Sequence, residues 1–490
     1  MDFLDPAQNR AHTIRLFIGY ILVAIAIATG SLILLLQAFG YDVDRRTGQV
    51  IQNGLVFVDS HPESADIYLN GVSKGKTSTK LAIPAGQYNM ELKRDGYHSW
   101  KRSFNLEGGS IEQLVYPVLF PTNLVTKDIQ LYGSAPTFAS ASPDRRWLMV
   151  QQPDSLVAFD LFDLNNPDVL PKTLSMAPAL FTPAAGAHSL SLVEWSTNNS
   201  HVLIKHSFAT GTEFVVLDRE DPAASFNINQ VFSLSPTQVA LRDKKHDRFY
   251  MFDAKTGVLQ AADFKTKQST SLLTQVVAFK AYGPDTLLYV MASAEQPGKQ
   301  AIKVLEGDKN YLLHYYPTSA EYELDMARFS GHMYAVIAPK SAGQVYIYKD
   351  PIDAAKKDTS VAPAPFVVLK MQQTAFVSFS AIARFVVAQS GNRFAIYDVE
   401  TNRRHYYELK EAMGPEQEAT WMDGHRLLVV LQGKTVAFDF DGINQQTLAA
   451  SQPGFMPFFD RDYLGLYNVA PSAQVTGRFA LTRTELKVKQ

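Results

Sequence analysis

Between Gly71 and Thr77 the chain reads Gly-Val-Ser-Lys-Gly-Lys-Thr, which has the glycines, lysines and hydroxyl of a phosphate cradle. A cradle of that kind needs four residues between its glycines and a helix directly after, whose first amides point at the anion. Three residues intervene here and a strand pattern follows, so the stretch predicts a turn carrying two solvated lysines. Ser73 and Lys76 have the Ser-x-x-Lys separation of a serine nucleophile and its lysine, but that pair works at a helix start, where one turn stacks the two side chains. A hairpin loop cannot do this. The eleven histidines are scattered, with no His-x-x-x-His or His-Glu-x-x-His pair to seat a metal and no Gly-x-Ser-x-Gly to hold an activated serine. His201 and His206 are the nearest pair, and an odd separation of five puts them on opposite faces of a strand. Asp439 and Asp441 lack the twelve-residue loop and closing glutamate of a calcium site and read as a turn. No catalytic, cofactor or metal residue is assigned. Acids from distant segments can still converge in a fold without leaving a spacing signature.

Length, charge and cysteine content narrow the classes further. The 490 residues contain no cysteine, which excludes disulfides, thiol nucleophiles, cysteine-based zinc sites and lipidation through cysteine. With 46 basic and 48 acidic residues the net charge is −2, so no global field favours nucleic acid.

Leu16 to Leu36 is almost wholly apolar, and about 21 residues at 1.5 Å each reach about 30 Å, enough to cross a hydrocarbon core. Residues 16–39 are read as a transmembrane signal anchor. Ala38-Phe39-Gly40 has the small-x-small form of a cleavage site, but the apolar run is longer than the usual signal-peptide core. Arg10 and Arg15 before it balance Arg45 and Arg46 after it, a tie under the positive-inside count. Because everything foldable lies after the helix, residues 1–15 are read as a cytoplasmic tail and 40–54 as a linker to extracytoplasmic domains.

From Pro62 to Trp100, Ile67 and Leu69, Leu81 and Ile83, then Tyr88, Met90 and Leu92 alternate with polar residues, the period of half-buried antiparallel strands. Asn70-Gly71, Pro84-Ala85-Gly86 and Asp95-Gly96 supply the turns. Residues 55–118 resemble the bacterial PEGA domain, a small all-β module of surface and envelope proteins. The resemblance rests on Pro62, Glu63 and Ala65, on Asn70-Gly71, on Gly75 and Thr77, on Pro84 and Gly86, and on Gly96-Tyr97. Ser64 stands where the family has glycine, a conservative change if its φ is negative and one of little cost in the left-handed region otherwise. The resemblance implies a small β-sandwich in which these residues are structural.

From 123 to 490 strand pairs recur, opening at Ser142, Ser196, Ser235, Gly283, Ser330, Ser380, Met422 and Phe459. The intervals average about 45 residues, the repeat of a four-stranded propeller blade. Eight openings predict eight blades, with seven as the alternative that the uneven spacing allows. Many return strands end in Asp. The last unit is short of strands, so Thr126 to Leu131 is expected to complete it and close the ring. Ser142-Pro143-Asp144 and Asp441-Gly442 resemble the turns of TolB-type propellers. Trp147, Trp195 and Trp421, at blade openings, read as packing between blades. The connections from Asn165 to His188 and from Lys349 to Pro365 are candidate partner loops or solvated insertions.

The expected protein is all-β after one transmembrane helix: a PEGA-like sandwich, then a propeller that acts as a binding platform without catalysis or cofactor, and the resemblance implies a cell-wall polymer or an envelope protein as its partner. The alternative is a propeller hydrolase or lyase that works on glycan from the channel mouth.

Overall fold

The computed structural model describes residues 6–38, 40–43, 50–319, 321–357 and 362–488. Residues 1–5, Phe39, Arg45 and Arg46, which entered the anchor and orientation arguments, lie outside them. Two compact units divide the chain, Met1–Asn123 and Leu124–Gln490.

The first unit opens with α1 (Pro6–Ala38). Within it the 24 residues Thr13–Leu36 are long and apolar enough to cross a membrane, and none of this stretch is buried in the protein. A helix that is apolar on every side has no polar face for water and no core of its own to bury it. The helix begins earlier than the apolar run, taking up residues 6–15 of the segment read as a tail.

Eight strands follow: β1 (Tyr41–Val43), β2 (Val50–Val58), β3 (Asp66–Leu69), β4 (Val72–Lys76), β5 (Thr79–Pro84), β6 (Gly86–Lys93), β7 (Trp100–Leu106) and β8 (Ile111–Leu114). One sheet has the order β4-β3-β6-β7, the other β1-β2-β5 with β8 parallel to β2. Val56, Ile67, Met90, Leu92, Trp100 and Leu114 pack between them. The linker assignment is corrected here: residues 40–54 supply β1 and half of β2, with Tyr41 opposite Gln52 in the ladder. The polar Gln52 and Asn53 disguised this strand. Gly54 sits so close under Leu106 that a Cβ would lie 2.6 Å from its Cγ, so the strand can pass only without a side chain. The small domain also runs past 118, where a bridge joins Tyr97 to Pro121.

Ser64 has φ 64°, the left-handed region in which a Cβ costs about 1–2 kcal/mol. The serine is therefore strained where the expectation allowed a neutral change. Ser64→Gly should stabilise the small domain by about 0.5–1 kcal/mol, after the extra chain entropy of glycine is subtracted. Its urea midpoint in the full-length chain measures this, and a fall in midpoint would contradict it.

The second unit contains eight four-stranded antiparallel sheets among the described residues. Seven are consecutive in sequence, and the eighth is completed by β9 (Val125–Tyr132), which pairs along Phe479–Glu485. First strands of neighbouring sheets touch each other, so they line the axis. Trp195 Nε1 donates to Ser140 Oγ at 2.7 Å, and Trp421 Nε1 donates to Ser378 Oγ at 3.2 Å. The two indoles thus bridge sheets as well as fill space between them.

Each sheet buries its faces against the next. Met149 and Phe159 of the first meet Val202 and Ile204 of the second, and corresponding clusters continue through the sixth. Phe385 then stacks on Phe440 with centroids 4.1 Å apart, joining the sixth sheet to the seventh. Thr435 bonds Asn468 of the eighth, whose Tyr467 and Val469 pack on Leu148 and Val150 of the first. The ring is closed, as stacked blades must be to cover both faces. At the seam Arg145 and Tyr463 both donate to the Met422 carbonyl at 2.9 Å.

Ser235 is corrected as an opening: it precedes the inner strand Gln238–Leu241. The turn after that strand is Arg242-Asp243-Lys244, where Asp243 and Lys244 take positive φ without any Ser-Pro signal. The connection before the second sheet holds a strand, Lys172–Ser175, and a short helical turn at Pro178–Leu180. The other long connection forms a helix at Pro351–Lys357.

A recurring pair explains the Asp at the strand ends. In six sheets an Arg or His at the start of the second strand faces an Asp at the end of the third: Arg146 and Asp163, His201 and Asp218, Arg248 and Asp263, His332 and Asp350, Arg384 and Asp398, Arg426 and Asp439. The same carboxylate commonly caps the following turn, as Asp163, Asp218, Asp263 and Asp398 do through backbone N–H groups two residues on. Two of the histidines are thereby explained as members of this set.

Candidate functional site: an acid-rich channel

The inner strands Ser189–Trp195, Gln238–Leu241, Val276–Tyr282 and Tyr322–Phe329 enclose a cavity of about 520 Å³ on the axis. The lining comes in short runs from these strands and the turns after them, residues 193–194, 238–241, 243–244, 279–283 and 325–326. Glu194, Asp243, Lys244, Lys280 and Asp325 line it.

Some of these charges hold the ring together. Glu194 accepts the Leu241 backbone N–H of the next sheet and pairs with Lys244 at 3.4 Å. Asp325 does the same three sheets further round, accepting the Phe379 N–H at 3.0 Å while its other oxygen binds Lys280 Nζ of the preceding sheet at 2.9 Å. An acid on one inner strand that accepts from the next fixes the angular step between sheets.

Burial would lower the Lys280 ammonium, but Asp325, with Glu194 and Glu323 beyond it, outweighs burial and raises it. Glu323 is raised, burial outweighing the pull of Lys340, which also pairs with Glu321 at 2.6 Å. Glu418, just before the seventh inner strand, is raised by burial and then by repulsion from Glu323 and Asp325. Glu418 is nevertheless open to water, and the Lys280 side chain is 45% exposed. A channel reconciles the two observations, because it admits water while protein on all sides keeps bulk solvent and its screening at a distance.

The arrangement can bind a cation or hydroxyl groups, and it can hold a carboxyl protonated more readily than free solvent does. Among the described residues no group of three or more His, Asp or Glu is placed to hold a metal ion. These channel residues come from different sheets, and their sequence spacing carried no signal.

The eleven residues singled out in the small domain serve that domain. Asn70 and Gly71, with φ 49° and 80°, form the tight β3–β4 hairpin, and Gly75 takes φ 103° within β4. Thr77 is a buried staple: its Oγ1 meets Ser60 Oγ at 2.7 Å and accepts the N–H of fully buried Ala65 at 3.0 Å. Pro62 accepts from Ser60 Oγ, Glu63 through its carbonyl from Arg94, and Pro84 from Tyr88 Oη. Gly86 lies opposite Leu106, Gly96 accepts the Thr122 N–H at 2.9 Å, and Tyr97 packs in the core. Val72–Lys76 is itself strand β4 rather than the turn expected there, with both lysines exposed, and a strand, not a helix, follows at Thr79–Pro84.

No curated protein sequence matches the chain. The structure is similar to the Dos1 propeller at TM-score 0.47 and 14% identity, over 74% of this chain and 94% of that one. It is similar to the Cps50 (Swd1) β-propeller domain of Myceliophteria thermophila at TM-score 0.38 and 11% identity, over 75% and 99%. For the oligogalacturonate lyase of Vibrio parahaemolyticus the values are 0.35 and 10%, over 74% and 97%. Residues 53–115 match the PEGA domain family, and the chain is a PEGA domain followed by a β-propeller.

Proposed function

We propose that the protein is a membrane-anchored binding protein of the bacterial cell envelope, with α1 in the membrane, the PEGA domain as spacer and the propeller as an extracytoplasmic platform. The observation that carries the reading is the cavity lined by Glu194, Asp243 and Asp325 against Lys244 and Lys280, with Glu323 and Glu418 near enough to act on the same charges. Its excess of negative charge suits a partner that brings basic or hydroxyl groups, such as a basic segment of an envelope protein or a wall glycan.

Full-length protein in nanodiscs, titrated with a basic peptide and with wall-glycan fragments, tests this. Glu418→Gln with Glu323→Gln should weaken binding about tenfold and reduce its salt dependence, at unchanged melting temperature. Binding that ignores both changes would remove the channel from the proposal. Protease accessibility on intact cells tests the location, and protection of the propeller would reject the extracytoplasmic placement.

One observation favours the enzymatic alternative: Glu323 and Glu418 are both raised toward neutrality in a cleft, the condition for a proton-donating acid. Glycan cleavage that disappears in Glu418→Gln would make the protein a hydrolase or lyase.

A further inference from the structure

Three side chains at the second sheet lie on one hydrogen-bonded line. His188 Nε2 is 2.9 Å from the Ala184 carbonyl oxygen, and its Nδ1 is 2.8 Å from His206 Nε2. His206 Nδ1 is in turn 2.8 Å from Glu213 Oε1. The two rings are 13° from parallel with centroids 5.1 Å apart, and with facing nitrogens at 2.8 Å they meet edge to edge rather than face to face.

The line can be filled in only one way. A carbonyl oxygen only accepts, so His188 Nε2 carries hydrogen. Glu213 accepts everywhere else: from the Thr182 N–H on Oε1, and from Thr182 Oγ1 and Asn227 Nδ2 on Oε2. Burial would raise this carboxyl, but those donors together with His206 hold it down at about 2. It is therefore ionised, and His206 Nδ1 carries hydrogen too. One more hydrogen must lie between the facing nitrogens. Three N–H groups on two rings is one more than two neutral imidazoles supply.

We propose that His188 and His206 share one excess proton, and that the resulting cation on Glu213 is a pH-sensitive lock holding the connection 178–188 against the second sheet. Loss of that proton removes one of the three links: Glu213 loses its His206 donor, the Ala184 carbonyl loses its donor, or the facing nitrogens lose their shared hydrogen. Phe181 and Phe208 contact the His206 ring, Leu190 lies opposite it in the ladder, and Thr182 and Asn227 are neutral donors. His206 is fully buried while His188 is partly open, so protons reach the pair through His188. The locked connection runs directly into the inner strand Ser189–Trp195, which carries the channel residue Glu194.

Amide hydrogen exchange on the full-length protein between about pH 5.5 and about pH 9, corrected for intrinsic rates, tests the lock. Protection of 178–188 should fall about tenfold or more as pH rises, while the 222–227 connection stays level. In His188→Gln, which cannot hold the excess proton, that pH dependence should vanish. Constant protection in the wild type, or an equal slope in the variant, overturns the proposal. Should the variant fail to fold, nitrogen-15 spectra of labelled histidine in the wild type decide. A low-pH pattern with both nitrogens of one ring protonated supports the lock, and two neutral rings throughout reject it.

Discussion

Arg426→Met is expected to destabilise the propeller by about 3–5 kcal/mol, whereas Arg248→Met, at the equivalent position of another sheet, should cost about 1 kcal/mol or less. The two arginines make the same pair in different surroundings. Arg248 stands 3.9 Å from Asp263 with its side chain 49% exposed, so water screens the attraction and solvates either partner left alone. Arg426 is 3% exposed, with Asp439 at 3.6 Å and only 2% exposed, and it also bonds Asp423. Removing it takes the guanidinium away from a carboxylate that is itself buried. Asp439 also accepts from Asn444 Nδ2 at 2.9 Å, a bond too weak to replace a guanidinium. Unfolding of the full-length protein in detergent by urea measures both variants. Adding Asp439→Asn to Arg426→Met should recover more than half of the loss, because the stranded charge is then gone. Equal costs for the two arginines would show that burial does not set the strength of this pair. Arg384, 17% exposed and 2.7 Å from Asp398, should fall between them.

The same pair shows what could be read from the sequence. The Asp at each return-strand end was visible because it belongs to a local turn, and its caps are made two residues on. Its partner was not, because that residue is Arg in four sheets and His in two, so no single residue type repeats. The strand pattern revealed the small domain and the repeated sheets because each hairpin needs its own alternation and turn. It failed at 40–54, where Gln52 and Asn53 interrupt the apolar face, and at Ser235, where a charged turn lies seven residues beyond the expected one. The channel was illegible for a different reason. Glu194, Lys280, Asp325 and Glu418 meet only after the ring has closed, and a period-two strand places an acid inward or outward without any change in spacing.

Closure is the property on which the channel depends, and it is carried by one strand from the far end of the unit. Replacing Thr126–Leu131 by a Gly/Ser sequence of equal length should lower the melting temperature of the full-length protein by about 10 °C or more. It should also expose the segment Phe458–Glu485 to protease. β9 pairs with Phe479–Glu485 from Tyr132 opposite Phe479 to Val125 opposite Glu485. Thr126 Oγ1 meets Thr484 Oγ1 at 2.8 Å, and Asp128 accepts from Ser472 Oγ at 2.6 Å. Without these contacts the eighth sheet has three strands and a bare edge. Ile129 then no longer packs in the cluster of Tyr467, Val469 and Leu481 against Leu148 and Val150 of the first sheet. The ring would open where the two ends of the domain meet, and the angular steps set by Glu194 and Asp325 would no longer have to sum to a full turn. The same Gly/Ser replacement at 165–170, a surface connection of the first sheet, is the control and should leave melting nearly unchanged. An unaltered transition in the 126–131 replacement would mean that packing between sheets closes the ring without the shared strand.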